Sequence, residues 1–201
     1  MNERISTLLL GMKALEAELE VELARRRIEL NFVVHEGKIR FEQIVIARHR
    51  SVKTGLTRYL LESRPLMVLT APIIYSLMVP FALLDAFVTL YQAVCFRVYG
   101  VPLVRRRDYF AFDRGHLAYL NAIEKLNCIY CSYANGLISY VREVASRTEQ
   151  YWCPIKHARR VIAAHDHYAA FLDYGDAEAY RRELSTLRQE LQKSGTEADS
   201  H

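Results

Sequence analysis

Residues 126–137 read LNCIYCSYANGL, and the path of the backbone at Asn135-Gly136 decides the fold of the C-terminal half. Leu117, Leu120, Ile123, Leu126 and Tyr130 recur at helical spacing, which predicts a helix over 116–134. Cys128 and Cys131, three residues apart, then leave one face a turn from each other. Downstream, residues 151–157 read YWCPIKH. Pro154 suits a first helical position, which makes Cys153 a cap and sets His157 above it on the same side. Cys128, Cys131, Cys153 and His157 are therefore a candidate Cys3His metal set, which zinc takes tetrahedrally. Four protein ligands close the coordination shell, so such an ion is a structural clamp rather than a catalyst.

The obstacle is distance. A helix unbroken to Arg147 carries its end about 25 Å beyond Cys131, and a fully stretched 148–153 recovers at most about 20 Å. One chain supplies all four ligands only if the helix stops soon after Cys131. Asn-Gly favours a left-handed turn, so a break is expected there. LISYVREVASRTEQ (137–150) then runs back antiparallel and delivers Cys153. Three other readings stay open: inert buried thiols, a Cys128/Cys131 dithiol redox pair, and iron or an iron–sulfur group in place of zinc.

Working upstream, residues 66–96 read LMVLTAPIIYSLMVPFALLDAFVTLYQAVCF and hold one charge, Asp85. A membrane span takes roughly 20 apolar residues, so this is read as a membrane segment. Either Leu66–Leu84 crosses once, or the segment is re-entrant and bends near Pro80, since Pro72 and Pro80 each remove a helix donor. Both flanks are basic and favour the cytoplasm, which suits the re-entrant form. Arg48, Arg50, Lys53 and Arg58 precede the segment and Arg105, Arg106 and Arg107 follow it, as candidate contacts to anionic headgroups. Asp85 is a candidate intramembrane polar site, because an ionised group in hydrocarbon is costly.

The expected architecture is mainly α, with four regions. Residues 1–64 hold an amphipathic helix over 3–29, a small β-hairpin near 31–42 turning at Glu36-Gly37, and a basic amphipathic helix over 43–63. Residues 65–104 form the membrane segment. Residues 105–195 form a helical metal-binding domain, in which Gly175 ends one helix and Asp176 caps the next. Residues 196–201 are expected to be a disordered tail. His165 and His167, two apart, read as surface histidines beside Asp166.

Composition narrows the function classes. The 13 tyrosines and eight phenylalanines argue against disorder, and a net charge of +4 gives no reason to expect nucleic acid as a partner. Cys95 lies in the apolar segment, leaving three thiols elsewhere, an odd number that suits a reducing compartment. The N-terminus lacks the order of a signal peptide, so a cytoplasmic start is expected. CIYCSYANGL with TEQYWCPIKHARR resembles motifs in a bacterial membrane-associated family of unassigned activity, over residues 65–162. That resemblance implies a bacterial inner-membrane setting, with the cysteine-containing domain facing the cytoplasm, and says nothing of chemistry. No nucleophile–base pair or phosphate-binding glycine loop stands out, so an enzyme is not the first expectation. The sequence is read as a membrane-anchored structural or interaction protein clamped by metal, with membrane lipids and a protein in the membrane as partners. The alternative is a membrane-bound redox or metal-handling protein.

Overall fold

The computed structural model describes residues 3–29, 32–35, 38–41, 43–162 and 164–198. The chain is mainly helical. It divides into two compact units, Met1–Val68 with Phe112–Ile129, and Leu69–Ala111 with Tyr130–His201.

In the first unit, α1 spans Glu3–Glu29. Its apolar residues Leu8, Met12, Leu15, Leu19 and Leu23 are all exposed, so the stripe that the sequence repeats every three or four residues is left uncovered. Strands β1 (Phe32–His35) and β2 (Lys38–Phe41) pair antiparallel, with Val34 opposite Ile39. The expected Glu36-Gly37 turn lies outside the described residues. The basic helix expected over 43–63 is instead two short helices, α2 (Gln43–Ser51) and α3 (Leu56–Glu62). Gly55 takes extended angles between them, where a residue without Cβ gives the helix little reason to continue.

The second unit is built on the apolar segment. Helices α4 (Pro65–Ser76) and α5 (Met78–Tyr91), a π-helical turn at Gln92–Phe96 and α6 (Arg97–Tyr99) follow one another without reversal. Pro65–Tyr99 is, among the described residues, the one helical run long and apolar enough to cross a membrane. The bend expected near Pro80 does not form. Leu77, between α4 and α5, keeps right-handed helical angles, and restarting the helix there puts Pro80 in a first turn, where its missing N–H has no partner to lose. The run ends at Gly100, whose φ of 67° is the left-handed stop that favours glycine.

Helix α7 spans Ala122–Trp152 and runs parallel to this segment. Contacts advance along both: Tyr75 with Tyr130, Asp85 with Tyr133, Gln92 with Tyr140, Tyr99 with Tyr151. Asn121 and Glu124 start α7 by bonding each other's backbone N–H, a capping box, so the helix begins later than the expected 116. Phe96, Val101, Val104, Leu137, Tyr140 and Val144 close the core with Leu191 of α8 (Ala177–Ala198). Asp176 caps α8 by accepting from Ala179 N–H. The tail expected from 196 is helical through Ala198, and residues 199–201 lie outside the described residues.

Candidate functional site

The expected helix break at Asn135-Gly136 does not occur, and the reason lies in packing. Gly136 is buried within α7, and a Cβ there would stand 2.7 Å from the Tyr109 carbonyl oxygen and 3.0 Å from the Phe110 ring. The glycine lets the segment before α7 lie directly against the helix; it is not a stop. Asn135 donates its side-chain amide to the Cys131 carbonyl at 2.9 Å, one turn back on the same helix.

The Cys3His set therefore does not assemble. Helical hydrogen bonding continues to Cys153, whose N–H donates to Glu149. Cys131 and Cys153 thus lie about 33 Å apart along one rod at a rise of 1.5 Å per residue, against zinc–sulfur bonds of about 2.3 Å. Nor does a helix begin at Pro154. Leu172 N–H donates to the Pro154 carbonyl and Lys156 N–H to the Leu172 carbonyl, so residues 154–156 pair with residue 172 as an extended strap. The backbone N–H of His157 donates to the Tyr168 hydroxyl, and its ring stacks on that tyrosine. Among the described residues, no group of three or more His, Cys, Asp or Glu side chains is placed to hold a metal. Cys128, Cys131, Cys153 and His157 are therefore not placed to share one ion within a chain.

Asp85 is not solitary. Arg106 donates to its two oxygens at 3.2 and 2.6 Å, and the Tyr133 hydroxyl donates at 3.0 Å. Asp85 retains 15% of its side-chain exposure and Arg106 46%, so the pair sits at an edge. Burial, and then the hydrogen bond to Asp85, push the Tyr133 hydroxyl up, which keeps it a donor at neutral pH. Two turns on, the π-helical turn brings Gln92 and Phe96 to one buried face. The Gln92 amide accepts from Val104 N–H at 3.0 Å and donates to the Tyr140 hydroxyl at 2.6 Å. Residues 101–111 are thus pinned between α5 and α7 at three points, by Gln92, Asp85 and the Gly136 notch.

The remaining basic candidates, Arg48, Arg50, Lys53, Arg58, Arg105 and Arg107, are all exposed. Arg58 donates to Glu62, one turn on, and Arg107 lies 3.7 Å from Asp108.

One constellation escaped the sequence reading. His167 lies 3.3 Å from Glu143 and His165 3.0 Å from Glu149, while Arg142 donates to the Ala164 carbonyl. These contacts hold the strap on α7. The His167 hydrogen bond and Arg147 hold the Glu143 carboxyl at about 2, against burial, which acts the other way. The Glu143–Arg147 spacing was visible as a helical i, i+4 pair. Pairing of the histidines was not, because it depends on 153–172 folding back rather than forming a helix.

No family model, curated protein or solved structure matches this chain.

Proposed function

We propose that the chain is a membrane-anchored helical interaction protein that rests the uncovered side of its apolar helix in a bilayer. One observation carries this reading. The side of Pro65–Tyr99 away from α7 exposes Val79, Leu83, Phe87 (69%), Leu90, Val94 and Val98 (76%), and the exposed charge on this run is confined to Arg97, near its end. The opposite side holds Asp85, Thr89 and Gln92, each with a partner. A helix with one side polar and covered, and the other apolar and bare, suits insertion into one leaflet more than passage through hydrocarbon. Basic residues on both sides in sequence would meet headgroups, in keeping with both ends lying on the cytoplasmic side of a bacterial inner membrane. Free thiols at Cys95, Cys128, Cys131 and Cys153 agree with a reducing compartment. The exposed leucine stripe of α1 is the surface offered to a protein partner.

Flotation with vesicles containing anionic phospholipid tests the reading. The purified chain is expected to float, and Phe87→Asp with Leu90→Asp is expected to release it while far-UV dichroism stays unchanged. Native chain that stays at the bottom, or a doubly substituted chain that still floats, overturns it. A membrane-impermeant maleimide that reaches, from the same face of closed vesicles, both the thiols at Cys128, Cys131 and Cys153 and one introduced ahead of the apolar run by Ser51→Cys would agree with insertion into one leaflet. Labelling of the two sides of the run from opposite faces would mean a complete span.

A further inference from the structure

A groove of about 480 Å³ runs along the seam between α5 and α7, walled by Val88 and Tyr91 on one side and Val141, Ala145, Thr148 and Trp152 on the other. Its surface is almost wholly apolar, and the one carboxylate at its edge, Glu149, is already engaged by His165. The seam joins two bare apolar faces. On α5 and the π-helical turn after it the neighbours are exposed Phe87, Leu90 and Val94, and on α7 they are exposed Ile138 and Trp152. The groove is therefore continuous with the surface assigned above to the bilayer.

We infer that this groove holds one acyl chain of an anionic phospholipid drawn from the bilayer on which the helix rests. The inference depends on the membrane reading and goes further, by naming a single-lipid site. Three features select this occupant. The volume lies within the range of pockets that take small molecules. A helix partner would need an interface of about 800 Å² on each side, far more than one short slot offers. Charge supplies the third feature. The wall ends at Trp152 and Cys153, and the chain then continues through Lys156 to Arg159 and Arg160, both exposed. Arginines a few residues beyond the end of an apolar slot suit a phosphate headgroup whose chain lies in the slot. Tyr91, Tyr151 and Trp152 at that end have the amphipathic rings that collect at headgroup depth.

Trp152 is the only tryptophan, so its fluorescence reports on the groove directly. The probe is phosphatidylglycerol with brominated acyl chains, mixed into vesicles that the full chain already binds. Ala145 is exposed on the groove wall, and Ala145→Phe fills the slot without entering the core. The native chain should be quenched. Ala145→Phe should lose that quenching while still floating with the vesicles and melting as before. Arg159→Gln with Arg160→Gln should abolish the preference for brominated phosphatidylglycerol over brominated phosphatidylcholine. Equal quenching of the native chain and Ala145→Phe overturns the site, as does a headgroup preference unchanged by the arginine substitutions. A change in oligomeric state on Ala145→Phe also overturns it, because the groove would then be an interface between copies. Failure of the native chain to float is a different result, which removes the membrane reading itself.

Discussion

Replacing Gly136 by alanine separates a glycine that ends a helix from one that admits a neighbour. In the middle of α7, alanine gains about 1 kcal/mol of helix propensity over glycine. Against that stands the close approach of residues 109–110. The new Cβ would meet the Tyr109 carbonyl oxygen at 2.7 Å and the Phe110 ring carbons at 3.0 and 3.2 Å. The first of these is backbone, in a segment held just upstream by the Gln92–Val104 and Arg106–Asp85 contacts, so it has little room to yield. Overpacking of this kind costs about 1–3 kcal/mol. Taking the upper end for a backbone obstacle leaves a net loss of about 1–2 kcal/mol, a fall of several degrees in melting temperature. The assay is thermal melting by circular dichroism, with Asn135→Ala as the companion. Asn135 only bonds back along its own helix, so its substitution should be neutral or slightly stabilising. Stabilisation by Gly136→Ala would refute the packing argument. Loss of stability in both variants would instead restore a turn at this step.

Three further outcomes follow from the polar contacts. Arg106→Gln should destabilise by about 1–2 kcal/mol by leaving the Asp85 charge without its cation, and Asp85→Asn in the same chain should recover part of the loss; additive losses in urea unfolding would deny the coupling. Gln92→Leu should cost about 2–3 kcal/mol, since Val104 N–H would lose its partner in the core, and an unchanged midpoint would contradict that. Glu143 is depressed to about 2 from a usual 4.5, so its contribution is fully present above about pH 4.5 and is lost as pH falls towards 2. The shift corresponds to about 3 kcal/mol, and to roughly 1–2 kcal/mol once solvent screening is allowed for. Stability curves of the native chain and Glu143→Gln should therefore converge in acid, and a constant gap between them would remove the linkage.

Features set by local periodicity were legible in the sequence. Helix α1 and the apolar run from Pro65 follow from side-chain spacing and hydropathy alone, which act over a few turns. Misreadings fell where local chemistry fits two outcomes and a distant segment chooses between them. Asn-Gly suits a helix stop, yet Gly136 is equally suited to a notch, and only Tyr109 and Phe110 decide which. Pro154 suits a first helical turn, but its carbonyl is claimed by Leu172. The candidate metal set fell with those two points, since each ligand pair was sound by itself and only the path between them was wrong. Asp85 was marked by its cost in an apolar run, whereas nothing nearby in sequence identified Arg106 and Tyr133 as the groups that receive it.

The course of α7 governs what the cysteines can do and which surfaces are left for a membrane. Cys131 and Cys153 are both exposed, so nitroxides can be attached there once Cys95 and Cys128 are replaced by serine. Pulsed electron paramagnetic resonance on the folded chain should give a narrow separation centred near 33 Å, widened only by the label arms. A separation of a few ångströms, with the strong dipolar broadening of two labels side by side, would show the chain doubling back and return the four-ligand clamp.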